Sequence, residues 1–541
     1  VSTPDSVAPA DRPAAPRGAP ATSIPYDVAR APAGPQGEAE WSACDAFLRE
    51  LSGHGVPNAD TFVMQHRTLK YGDVHRFFGA LAPDPMLGAH DSARMQRKAL
   101  GLPDQLPATL SIALREIVAL PSDHASRPLH QLAEYMQREL RLCGQCDAPL
   151  LPPWADRSRI LQGQRAFMTR LLPSVLVLVC KSLPEAYSAA RPASVLNLSG
   201  ELAALPYHRL LGTLQLLVTV STPHSFEGPW YPAFVAAQEM QLLHAGVRMN
   251  VAPRLADAKR GRIERDADAW TGRDDYPLWG GYDAFQRGWP VTDGTPETAC
   301  DPPQVVVSQT DMLATIIAFS LLVVDGLETL GVPMRDDDAE AFWHLWRVFA
   351  VLKGLHPPGR PDDGSWVPAT LAEARAFWRV YRRHYLTGPT TWSGDWEREA
   401  REQNPAGYAL TSAHLRMLAK LLRAELRLVP IGEAQWLHVV RYYLVRLCGE
   451  EGAARVGVPR APYKWLIRTL LETVPRWWAR AWDRVDVEVH VATSRRVLTA
   501  LIGQVYGERV VFPIPQTADE LKAFVEQSSR TRPVAKALER L

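Results

Sequence analysis

The run MLATIIAFSLLVV (312–324) constrains this chain more than any other stretch. It carries no charge and is bounded by Asp311 and Asp325. Crossing a bilayer takes about 18–20 consecutive apolar residues. The run is too short for that, and it reads instead as a helix buried inside a protein core.

Other segments with helical spacing of apolar residues surround it in the sequence. They include SACDAFLRELSGHG ending at Gly53, PLHQLAEYMQRELRL (128–142), RILQGQRAFMTRLLPSVLVLVC (159–180), GELAALPYHRLLGTLQLLVTV (200–220) and PWYPAFVAAQEMQLLHAGVRMNV (229–251). Pro173 should kink or divide the third of these. Further helices are expected over 308–332, with Gly331 as the stop signal, over 336–355, over 370–388, and in two segments reaching about residue 485. Strand-like alternation is confined to DVEVHVAT (486–493) and ERVVFPI (508–514), and Thr517-x-x-Glu520 is a capping box that starts a last helix. The fold class expected is all-α.

Residues 1–36 hold eight prolines and nine alanines and read as a tail without a core of its own. Such a tail is what signal-peptide removal would leave, so a secreted or periplasmic protein is expected. From residue 37 to 541 no Pro- or Gly-rich linker divides the chain, which points to a single helical domain. Residues 252–303, rich in Asp, Arg, Gly, Pro and Trp, read as a long surface excursion. Net charge is +1 with no concentrated basic patch, which removes nucleic acid and anionic membranes as expected partners.

Familiar catalytic motifs are missing: there is no GxSxG, HExxH, Walker loop or strand-to-helix GxGxxG. Of six cysteines, Cys143 and Cys146 form CGQC. No second ligand pair accompanies them, and Asp147 follows where a c-type haem motif needs histidine, so a disulfide or two plain thiols is favoured over a metal or redox role. Asp336, Asp337 and Asp338 suit a helix N-terminus, and His344, flanked by aromatic residues, reads as packing.

His244 stands out among fifteen histidines because its helix is apolar and small residues, Ala245 and Gly246, follow it. A buried imidazole needs partners for its nitrogens. An ordinary hydrogen-bonded core histidine would satisfy that; so would an axial ligand to haem. Arg248 lies one turn later, and Arg209 and Thr213, also four apart, can share one pocket. Haem would use all of these. His244 would supply the axial nitrogen, Ala245 and Gly246 room for the ring, Arg248 a partner for a propionate, and Arg209 with Thr213 the polar distal side.

The ordered elements SLPEAY (182–187), LNLSGEL (196–202), HRLLGT (208–213), LLHAGVR (242–248), VSQTDMLATIIAFS (307–320) and HLWRVFAVLKGL (344–355) resemble the domain shared by latex clearing proteins and the mpaB-type oxygenases. The resemblance covers roughly residues 70–465. It implies a globin-like helical core with a non-covalent b-type haem on His244. The family's distal R-x-x-K-T corresponds to Arg209-Leu210-Leu211-Gly212-Thr213, so the lysine that can close the iron site in the family is here Gly212. A distal glutamate serves as base in the family; Glu201 is the first candidate and Glu185 the second. The implied activity is oxidative cleavage of poly(cis-1,4-isoprene) by a monomeric, exported dioxygenase, with dioxygen and a hydrophobic polyisoprene or prenyl chain as its partners. Two other readings stay open: an oxygenase of the same domain family acting on a smaller prenyl or lipid-like substrate, and a helical haem-binding or sensor protein without turnover.

Overall fold

The computed structural model describes residues 55–66, 107–121, 127–142, 151–198, 206–227, 230–259, 307–357, 360–425 and 431–460, with isolated positions between and beyond them. The protein is all-α. Among the described residues, strand-type pairing is limited to an antiparallel bridge between Ala189 and Leu386. Helices α1 (Pro57–Gln65), α2 (Leu110–Val118), α3 (Arg127–Leu142), α4 (Arg157–Thr169) and α5 (Leu171–Val177) lead into a π turn (Leu178–Ser182). Then come α6 (Leu183–Tyr187), α7 (Ala190–Leu198), α8 (Pro206–Ser221), α9 (Pro232–Lys259), α10 (Gln309–Phe319), α11 (Leu321–Leu330) and α12 (Asp336–Leu352). Helices α13 (Leu371–Tyr385), α14 (Trp396–Gln403), α15 (Pro405–Glu425) and α16 (Glu433–Arg455) follow. The expected tail at 1–36, CGQC, residues 260–303 of the excursion, the 508–514 strand and the Thr517 capping box lie outside the described residues.

The run at 312–324 is central, as its composition requires. Helices α10 and α11 together cover Gln309–Leu330, long and apolar enough by themselves to cross a membrane, yet 72% buried inside the fold. The helical stretch outgrows the apolar run at both ends. Ser308 and Asp311 form a reciprocal capping box, so Asp311 sits in the first turn, and Asp325 lies within α11, where Oδ1 accepts from Arg375 Nη2 at 2.8 Å. The break between the two helices falls at Ser320, whose Oγ donates to the Ile316 carbonyl at 2.6 Å. Gly331 ends α11 at φ 76°, a left-handed conformation glycine adopts without strain.

Two helix boundaries differ from the sequence expectation. The division of 159–180 occurs at Arg170 with a bend of 81°, and Pro173 falls in the first turn of α5, where its missing N–H leaves no bond unmade. Helix α9 continues to Lys259, eight residues past its expected end at 251. Pro253 interrupts its bonding without stopping it, because Arg254, Leu255, Ala256, Ala258 and Lys259 are good helix formers. The strand-like stretch 486–493 is also corrected: Val489, His490 and Thr493 are helical. Alternation over so few residues is weak, and β-branched propensity yields readily to context.

Helix α4 packs closely on α12. A Cβ on Gly163 would overlap the Ala341 carbonyl, while Phe167 and Phe342 stack with centroids 5.4 Å apart. Gly163→Ala should therefore force the two helices apart and destabilise the protein by about 1–3 kcal/mol, read as a lower denaturation midpoint. At the start of α4, Asp156 caps Ser158 N at 2.8 Å, and its own N–H donates to His344 Nε2 at 2.9 Å. Burial, with Arg159 and Arg347 nearby, holds the His344 pKa down to about 4 from 6.5, so the ring is neutral and acts in packing. An unfolded histidine takes up its proton near 6.5 and this one only near 4; the stability from keeping it neutral is present above that window and lost as pH falls through it. Melting temperature should drop across this range, and His344→Gln should flatten part of the slope.

Candidate functional site

Helix α9 is buried on every side from Ala233 to Glu239, so it needs partners around its whole circumference. Gln241, His244 and Arg248, spaced three and four residues apart, form a polar stripe along it. Each end of the stripe is anchored. Gln241 Nε2 donates to the Leu352 carbonyl at the end of α12 at 2.9 Å, and Gln241 Oε1 accepts from Tyr135 Oη of α3 at 3.2 Å. Arg248 is 6% exposed; its Nε donates to Asp60 Oδ1 of α1 at 2.8 Å and its Nη1 to the Val307 carbonyl at 2.9 Å. Its Nη2 also lies 2.6 Å from Asp60 Oδ1. Asp60 is held in turn, since Oδ2 accepts from Val56 N at 3.1 Å. Between these two anchors His244 is half-buried.

The small residues behind His244 have different environments. Ala245 is fully buried in the apolar core, where a small side chain serves packing. Gly246 adjoins open space, since a Cβ there would meet nothing within 4 Å. At 100° per residue Gly246 lies about 200° round the helix from His244, so that space opens on another side of α9.

Helix α8 packs against α9 and α4, which brings the helix of Arg209 and Thr213 beside that of His244. Gly212 and Thr213 are half-buried. Arg209 lies in the first turns of α8; its side chain, and all of Glu201, fall outside the described residues. Glu185 is 2% exposed in α6, and its Oε1 accepts from Lys181 Nζ at 2.8 Å. Lys181, within the π turn, also donates to the Leu447 carbonyl at 2.9 Å. Burial opposes its charge, but Glu185 and Cys448 beside it hold the ammonium above its ordinary range. Glu185 Oε2 is enclosed with no hydrogen-bond partner.

Sequence reasoning missed Asp60, Tyr135 and Lys353. Asp60 belongs to a short helix without a motif. Lys353 follows the last turn of α12, where a cation ordinarily answers the helix dipole in solvent, yet it is 4% exposed. Gln241 was the available signal: a polar residue three before His244 in an apolar helix.

Among the described residues no three His, Cys, Asp or Glu side chains converge as a metal-binding cluster. Cys180 and Cys448 are buried free thiols whose pKa values burial raises. The donor set at α9 is thus a single imidazole, flanked by an arginine already balanced by Asp60, with Lys353 close enough to feel the Arg248 charge.

No family model matches the chain, and no curated protein matches it. Among solved structures, a latex clearing protein in the closed state is similar to this chain at 18% identity and a TM-score of 0.46, with 73% of this chain and 84% of that chain covered.

Proposed function

We propose that this chain is a haem b-dependent oxygenase of the latex clearing protein kind, cleaving C=C bonds of poly(cis-1,4-isoprene) with dioxygen and leaving aldehyde and ketone ends. The observation that carries this reading is the polar stripe on α9. One imidazole stands between two fixed anchors on a helix buried on every side from Ala233 to Glu239, against the helix that bears Arg209 and Thr213. A haem asks for one axial nitrogen and for cations near its two carboxylates. A lone histidine with a buried arginine one turn along the same helix, and a buried lysine packed beside that helix, fits that demand.

When bound, haem supplies the iron that binds and activates dioxygen. The chain's own groups do the rest. The Gln241–Leu352 and Arg248–Asp60 contacts fix α9 one turn to either side of His244, so packing sets the position of the imidazole. Thr213 and Arg209 are the polar donors on the neighbouring helix, and donors in a water-poor core stabilise developing charge more than they would in water. Gly212, between them, brings no amine that could close the site. A carboxylate, Glu201 or Glu185, takes the allylic proton; in Glu185 the acceptor atom is Oε2, since Oε1 is engaged by Lys181. A polymer of this kind is met outside the cell, which places the site of action there.

Dioxygen uptake with polyisoprene latex, followed by detection of carbonyl-ended oligomers, tests the proposal. Uptake with short prenyl oligomers alone would move the substrate class to small isoprenoids. A protein that takes up no haemin would remove the oxygenase reading.

A further inference from the structure

Lys353 sits where a core has little use for a lysine. It follows α12, is 4% exposed, and its ammonium makes no ion pair or hydrogen bond with any described residue. The charge it feels is that of Arg248, of its own sign. Together with burial, this draws the Lys353 pKa down to about 8. The junction of α1, α9 and α12 therefore holds two buried cations, of which only Arg248 is paired with a described carboxylate, Asp60. That carboxylate is spent, with Oδ1 on Arg248 and Oδ2 on the Val56 amide. A lone buried ammonium is expensive, and proteins ordinarily neutralise one by pairing.

The position of this surplus charge is informative. A Cβ on the next residue, Gly354, would lie 3.5 Å from Gln241 Cδ, so the chain at Lys353 runs against the turn of α9 that precedes His244. Arg248 lies on the turn that follows. Arg248 was the expected propionate partner, but its Nε and Nη1 are committed to Asp60 and Val307. Among the described residues, Lys353 is the basic group here without such a commitment.

We propose that Lys353 receives a carboxylate of the group seated on the His244 face, a haem propionate. This rests on the haem reading above and gives a role to Lys353, which lies in the HLWRVFAVLKGL element but is not among the expected site residues. It also gives the ammonium an anionic partner that no described residue provides.

The test compares haemin with haemin dimethyl ester, which lacks free carboxylates. Each is titrated into the full-length apo-protein and followed by the Soret band. Wild type should bind haemin about tenfold more tightly than the diester, the effect of one charge-assisted contact. Lys353→Met should lose that preference and bind both forms alike, while Lys353→Arg, which keeps the charge, should retain it. Apo Lys353→Met should melt at or above the wild-type temperature, because the lone ammonium is gone. A Met variant that keeps the wild-type preference overturns the proposal and leaves the haem reading standing. So does an apo Met variant that melts well below wild type, since Lys353 would then be a structural residue. Wild-type protein that forms no Soret complex with either porphyrin overturns both.

Discussion

His244→Ala protein is expected to lack the Soret absorption of the wild type and to stop consuming dioxygen in the presence of polyisoprene. On the proposed function the imidazole supplies the axial nitrogen, on a face where Gln241 and Arg248 are already bonded. Gln241 is tied to Leu352 and Tyr135, and Arg248 to Asp60 and Val307. No second donor on that stripe can replace it. His244 is only half-buried, so truncating it removes little packing, and the melting temperature of the apo-variant should stay close to wild type. That separates loss of a ligand from loss of the fold. Free imidazole should restore part of the Soret band, because the truncation leaves a space of its own shape. A variant with the wild-type spectrum and full activity would return His244 to the ordinary role of a hydrogen-bonded core residue.

Asp60→Asn should cost about 1–3 kcal/mol of stability, the penalty of leaving the buried Arg248 guanidinium without its partly exposed counter-charge. Asp60 is the carboxylate partner of Arg248, and Lys353 adds a second cation to the same junction. Removing the carboxylate leaves Arg248 without its partner and beside a second cation. The variant should unfold at a much lower denaturant concentration, with an unchanged dependence of stability on denaturant. Replacing both partners, Asp60→Leu with Arg248→Met, should recover most of the loss, since a neutral pair leaves less charge buried. If Asp60→Asn unfolds where the wild type does, the Arg248–Asp60 contact does not anchor α9.

The helices were largely legible in the sequence because their cause is local. The apolar run at 312–324 required burial, Gly331 marked the helix end, and the three aspartates at 336–338 marked a helix start. Where local signals were weak, the expectation failed. Pro253 and a polar composition hid the last turns of α9, and a short alternating stretch concealed helix at Val489 and His490. The candidate site divides in the same way. His244 and Arg248 could be picked out as candidates from sequence because they share one face of one helix. The commitment of Arg248 to Asp60 was not, because the two residues are 188 positions apart and nothing local announces a long-range ion pair. Lys353 was hidden for the same reason: a lysine after an apolar helix looks solvated until the packing around it is known.

The Arg248–Val307 hydrogen bond joins two points 59 positions apart in sequence at 2.9 Å. The two ends of the intervening stretch are thus fastened together at one place. The entropy of closing such a loop rises only logarithmically, by about 0.6 kcal/mol for each doubling of its length. A fastened junction of this kind lets evolution lengthen, trim or exchange the intervening segment at small thermodynamic cost. The scaffold can remain constant while the part of the chain strung across that junction diversifies.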